Sequence, residues 1–179
     1  WGKKVDVEFA KLNQGFLQSG LAALNMTFDK ATTPEVKKEA YQSLVDLMNL
    51  SCEIDATSYF AFDLRAQGKL GLADSVGALA DFNAAAKLIE ANTHTRPDLY
   101  VAYTYYRKAI IERYNQHNVD AALKSVDTGK AVVEKEWAKI LAKKAEMKPE
   151  EFAKQEKLYN EGMEDLGKFE LDLLLNAPE

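Results

Sequence analysis

The chain is poor in the residues that most enzyme motifs are built from: one cysteine, two histidines, two tryptophans and four prolines in 179 residues. A lone thiol, Cys52, excludes an intrachain disulfide, and its apolar helical setting marks it as a small core residue rather than a nucleophile. Neither His94 nor His117 has a glutamate three residues before it, so the E-x-x-H pairs of four-helix di-metal sites are missing. H-E-x-x-H, C-x2-C, the full P-loop motif G-x-x-x-x-G-K-[ST] and G-x-S-x-G are missing too. Glu90 and His94, four apart, have the spacing of a helical ligand pair but no further ligand, and both histidines fall in expected polar connectors. These absences point to no enzyme, no metal and no cofactor. No apolar run approaches the roughly 18 residues that span a bilayer, and a net charge of −5 with a pI near 5.2 disfavours a nucleic-acid partner. The lysine-rich region 124–157 is interleaved with Glu134, Glu136, Glu146, Glu150, Glu151 and Glu156, which reads as a solvated, ion-paired helix surface.

What remains is an ordinary globular composition, 47% hydrophobic and 28% charged, enough for one domain over residues 1–179 with a continuous core. Scarce proline and glycine leave long stretches with the three-and-four apolar spacing of helices. Residues 5–28 carry two apolar rows, one through Val5, Phe9, Leu12 and Phe16, the other through Leu17, Leu21 and Leu24. A helix so broadly apolar should be covered from two sides, with Gly15 and Gly20 in close contact with a neighbour. Pro34 suits a first helical position, with Thr32 and Glu35 spaced as a capping box. After Pro34, neither proline nor glycine occurs up to Gln67, and residues 34–67 read either as one long helix or as two, divided among the weak helix formers between Asn49 and Ser58. Gly68 and Gly71 should end that region in the left-handed conformation. Helices are expected over 72–91, from Pro97 and Asp98 to 114, over 119–146 and from Pro149 onward, with fraying at 176–179.

Residues 100–134 organise the rest. Apolar and aromatic positions crowd one broad side of a helix over 99–114, while the row Val101, Tyr105, Lys108, Glu112 is more polar. Residues 115–118 break the pattern, Asn118 is a good N-cap, and a second helix brings Ala122, Val126 and Gly129 to its inner face. This hairpin resembles a tetratricopeptide repeat, with Tyr106 at the aromatic position of the first helix and A-x3-V-x2-G in place of A-x3-F-x2-A. Ala109-Ile110 stands where the family has Leu-Gly, Arg113 where it has Tyr and Glu134 where it has Pro. Ala78, Phe82 and Ala85 reproduce the second-helix pattern, and Ala40, Leu44 and Leu47 offer a third copy. The spacings of 38 and 44 positions exceed the usual repeat of about 34.

The resemblance implies an all-α fold of stacked antiparallel helix hairpins, a right-handed superhelix closed by a long C-terminal capping helix with the apolar row Phe152, Tyr159, Met163, Leu166 and Leu173. It also implies a groove along the first helix of the hairpin, into which Thr104, Arg107, Ile111 and Tyr114 point with Tyr103 beside them. Tyrosine combines an apolar body with a hydroxyl and suits a half-exposed binding surface, and Arg107 suits a carboxylate. Two functions fit. The first is a non-enzymatic binding module that recognises a protein or peptide partner through the tyrosine-rich groove. The second is an exported small-ligand-binding accessory, associated with a transporter, in which the tyrosines wall a pocket. The sequence as given starts at Trp1 rather than Met, which leans the expectation toward export, periplasmic or lipid-anchored.

Overall fold

The computed structural model describes residues 2–92, 94 and 96–176. Its described residues form seven α-helices and no strand: α1 (Gly2–Phe28), α2 (Pro34–Ile54), α3 (Tyr59–Gly71), α4 (Ser75–Glu90), α5 (Val101–Tyr114), α6 (Val119–Ala142) and α7 (Pro149–Leu175). The all-α reading is therefore correct at the level of class. Two compact units, residues 1–88 and 89–179, divide the chain, a finer partition than the one domain expected from length. Of the terminus expected to fray, residues 177–179 lie outside the described residues, as do residues 93 and 95 of the expected connector.

In the first unit the helix boundaries follow local side-chain chemistry. Pro34 occupies the first turn of α2, and Thr33 rather than Thr32 is the cap, its hydroxyl accepting from Val36 N at 3.4 Å. Region 34–67 is two helices. Asp55 Oδ1 accepts from Thr57 N at 2.9 Å and Ser58 Oγ accepts from Ala61 N at 3.3 Å, so short polar side chains take over the backbone donors that a continuous helix would have bonded itself.

Gly68 and Gly71 do not act as left-handed stops. Helix α3 runs through both, and the left-handed residue is Ala73, at φ 63°. A Cβ on Gly68 would lie 2.8 Å from Val45 Cγ2 and 3.2 Å from the Tyr41 carbonyl oxygen, and one on Gly71 would lie 2.3 Å from the Tyr41 ring. The missing side chains let α3 lie directly on α2. Gly20 does the same for α1, where a Cβ would meet Met48 Cε at 2.7 Å, whereas Gly15 faces open space. Around these contacts Ala23, Leu24, Leu44, Met48, Ala61 and Leu64 form the core, with Cys52 partly buried against it. Only one face of α1 is covered. Val5, Phe9 and Leu12 remain about half exposed, because α2 and α3 take the side that carries Asn13, Ala23, Leu24 and Thr27. Between α3 and α4 the Arg65 guanidinium grips Asp81 with two hydrogen bonds of 2.9 and 2.7 Å, and Lys69 adds a contact at 2.7 Å.

In the second unit α5 starts at Val101, later than Pro97, because Asp98 Oδ1 accepts from Tyr100 N and holds residues 98–100 in a turn. The turn into α6 is as expected at Asn118, whose Oδ1 accepts from Ala121 N at 2.9 Å, and His117 supplies the left-handed residue at φ 54°. Helix α6 stops at Ala142, short of 146, and a single 3-10 turn over Lys144–Glu146 leads toward α7. Gly129 brings α6 onto α5, where a Cβ would lie 2.6 Å from Tyr105 Cβ. Helix α7 packs along α6 and also touches α5, burying Leu166, Phe169 and Leu173. The two units share one plan: a hairpin (α1/α2, α5/α6) and a third helix (α3, α7) that rests on the second and reaches the first.

The glycines make opposite predictions. Gly129→Ala should destabilise the protein by about 1–3 kcal/mol, because overpacking against Tyr105 outweighs the gain in helix propensity. Gly15→Ala, with nothing within 4 Å of the new methyl, should stabilise it by up to about 1 kcal/mol. Urea unfolding followed by far-UV circular dichroism measures both; a stabilised Gly129→Ala would show that the hairpin is looser than described.

Candidate functional site

The tyrosine-bearing helix α5 is covered on nearly every side. Between Val101 and Glu112 no residue is exposed, and the row that reads as polar in sequence, Val101, Tyr105, Lys108 and Glu112, is buried or half-buried. Polar members are accommodated there because each finds a partner. Lys108 Nζ binds the Glu112 carboxylate and donates to Ser125 Oγ at 2.6 Å, and Ser125 in turn donates to Glu112 Oε2 at 2.6 Å. Tyr105, 1% exposed, donates its hydroxyl to Glu90 Oε1 at 2.9 Å. Burial first, then the bond to Glu90 and its charge, push that phenol well above the ordinary tyrosine range.

Of the five residues expected to line a groove, Thr104 and Ile111 are buried, at 3% and 1% exposure, and offer no surface to a partner. The physical reason is register. Tyr105, not Tyr106, lies against Gly129, and an offset of one residue turns a helix by about 100°. Tyr103, Arg107 and Tyr114 do share one stripe, with Tyr100 at its head, beside α7. Tyr103 OH donates to Asp165 at 3.3 Å and Tyr114 OH to Asp172 at 3.4 Å. The Arg107 guanidinium stands 5.9 Å from the Tyr103 ring centre, and the Tyr100 ring 6.4 Å from that of Tyr103. Burial and the Asp165 carboxylate raise the Tyr103 phenol. Tyr106 packs edge-on to Phe169 at 5.4 Å, and Tyr114 is tilted against the same ring at 6.4 Å. Tyr100 and Tyr114 are 61% and 56% exposed, so the two ends of the stripe are open while its middle leans on α7.

Two polar centres escape sequence reading. Glu136, expected on a solvated lysine-rich face, is 2% exposed. Its carboxylate accepts from Asp98 N at 2.9 Å and from Lys139 Nζ, and His94 Nε2 lies 3.1 Å away. His94 is thus drawn inward instead of standing in solvent, and Glu90, four residues before it, is engaged by Tyr105. Among the described residues no three His, Cys, Asp or Glu side chains converge as metal ligands. The i,i+4 spacing of Lys108 and Glu112 is a signal that the sequence holds; the approach of Ser125 to that pair, and of His94 and Asp98 to Glu136, is not written locally.

Among the described residues no helix is long and apolar enough to cross a membrane. No family model, curated protein or solved structure matches the chain.

Burial opposes ionisation of Glu136, but the bonds from Lys139, the Asp98 N–H and His94 outweigh it and hold the carboxyl below its ordinary value of 4.5. A carboxyl lowered by folding stabilises the native state above the unfolded value and loses that contribution as pH falls through the folded one. Wild type should therefore exceed Glu136→Gln in stability by about 1–3 kcal/mol at neutral pH, and the gap should shrink as pH falls below 4.5. Parallel urea titrations from pH 7 downward test this; a gap independent of pH would show that Glu136 is not held ionised.

Proposed function

We propose that the protein is a non-enzymatic, tetratricopeptide-like binding module that engages a protein segment along the tyrosine stripe of the α5/α7 seam. Three features of the second unit support the repeat-like reading. Small residues set the hairpin contact, with Ala122 and Val126 fully buried and Gly129 under Tyr105. The third helix rests in the angle of the hairpin. Helices α5 and α7 run in the same direction, since Tyr103 meets Asp165 and Tyr114 meets Asp172. Repetition of this step along a chain generates the right-handed superhelix of such proteins.

The observation that carries the binding reading is the pairing of exposed rings with carboxylates. The Tyr100 and Tyr114 rings are more than half exposed, the latter with the Arg113 guanidinium 5.7 Å from its centre, and Asp165, Asp172 and Glu161 border the same seam. Aromatic rings and carboxylates together complement lysine and arginine side chains, the rings through their faces and the carboxylates through charge. The net charge of −5 adds long-range attraction for a basic segment. The partner is accordingly a protein with an exposed basic stretch.

Selection of a displayed random-peptide library on the full chain should enrich peptides rich in Lys and Arg. Fluorescence anisotropy with the enriched peptide should show at least about tenfold weaker binding to the Tyr100→Ala/Tyr114→Ala variant, as for truncation of interface hot spots. Both side chains are largely exposed, so circular dichroism should report an unchanged fold. Enrichment of no sequence, or equal binding by the double variant, would remove this stripe as the site.

A further inference from the structure

At the far end of the second unit from the α5/α6 turn, where α6 gives way to α7, lies a hollow of about 340 Å³. Arg96 and Pro97 border it from the segment before α5, Lys143 and Met147 from the α6–α7 connection, and Ile140 forms part of its floor. Glu146, Glu151 and Gln155 complete the rim. We propose that this hollow binds a free amino acid with an apolar side chain.

The lining is what a zwitterion with a hydrophobic appendage requires. Ile140 is 4% exposed, and Met147 and Pro97 are half-buried, so the floor is apolar and fixed by the fold. The rim holds two cations and two carboxylates, and among the described residues none of Arg96, Lys143, Glu146 and Glu151 forms an ion pair. Four uncompensated charges of balanced sign around one cavity discriminate among ligands. A simple carboxylate satisfies Arg96 and Lys143 but faces Glu146 and Glu151. A cation meets the reverse conflict. A purely apolar molecule strips water from all four and returns nothing, which is costly for charged groups. An amino acid gives its carboxylate to the arginine and lysine, its ammonium to the glutamates and its side chain to Ile140 and Met147. The volume stands at the lower end of the roughly 300–1,000 Å³ typical of small-molecule sites, which suits a ligand of that size. The guanidinium fork of Arg96 favours the planar carboxylate. This site is separate from the tyrosine stripe and does not depend on the partner proposed for it.

Methionine-methyl NMR gives a direct readout, because the chain has four methionines and one of them, Met147, lines the hollow. Titration of the full chain with L-leucine, L-phenylalanine and L-methionine should shift the Met147 methyl resonance and leave that of Met48, in the core of the first unit, unmoved. The analogues isocaproate, with the carboxylate alone, and isoamylamine, with the ammonium alone, should bind at least about tenfold more weakly than leucine. Arg96→Ala and Glu151→Ala, both at exposed positions, should each weaken leucine by a similar factor while the spectrum otherwise reports an intact fold. Absence of any Met147 shift with these amino acids overturns the proposal. So does isocaproate or isoamylamine binding as tightly as leucine, and so does leucine binding that neither variant weakens.

Discussion

The close approach of helices at residues without side chains is the constraint on which everything else in this protein depends. Interaxial distances in helix packing are set by the side chains at the contact, about 8–10 Å in general. Here Gly129 removes the side chain from the α5/α6 contact, and Gly68 and Gly71 remove it from α2/α3. In the first case the consequence reaches the candidate site. Because Tyr105 seats itself on Gly129, its ring is buried and its hydroxyl goes to Glu90. Its neighbours Tyr103 and Tyr106 then turn toward α7, where Asp165 and Phe169 meet them. One missing Cβ thus decides which tyrosines become core and which become surface.

The parts of this fold that were legible in the sequence are those written in local chemistry. Pro34, Pro149 and Asn118 mark helix starts because proline fits a first turn and asparagine accepts from the first free donors, and both depend only on residues a few positions away. The division of 34–67 stayed open for a reason that is also local. Asp55, Thr57 and Ser58 disfavour a helix only weakly, and it took their three side-chain bonds acting together to stop one. Glycine was misread at Gly68 and Gly71, since its two uses, left-handed backbone and close approach, leave the same letter in the sequence. Only the position of Tyr41 tells them apart.

The candidate site was partly legible for a different reason. The repeat pattern carried over from Tyr106 named Thr104, Arg107, Ile111 and Tyr114, with Tyr103 beside them, and of these Tyr103, Arg107 and Tyr114 lie on one stripe. Thr104 and Ile111 came from a register fixed on Tyr106, and α5 gives no amphipathic pattern that would have corrected it. Tyrosines occur on several of its sides, and its charged residues Lys108 and Glu112 are as inward as its apolar ones. Periodicity identifies a face only where polarity and exposure coincide. In a helix covered by its neighbours they part company, and the choice falls to contacts distant in sequence.

Those distant contacts are largely polar, and they carry the specificity that apolar packing lacks. Three of the four buried carboxylates, Asp81, Glu112 and Glu136, join segments distant in sequence: α3 to α4 through Arg65 and Lys69, α5 to α6 through Ser125, and the segment before α5 to α6 through His94 and the Asp98 N–H; the fourth, Asp63, accepts from Gln67 on its own helix. Removing the partners of a buried charge costs about 3–5 kcal/mol, whereas exchanging one well-fitting apolar contact for another costs less than about 1.5 kcal/mol. A slip of α6 along α5 by one turn would lift Gly129 from Tyr105. It would also take Ser125 from Glu112, and the Asp98 N–H and His94 from Glu136, leaving Lys108 and Lys139 on their own helices. The buried acids therefore hold the register that Gly129 selects, and the placement of both the tyrosine stripe and the hollow beside Ile140 follows from that register.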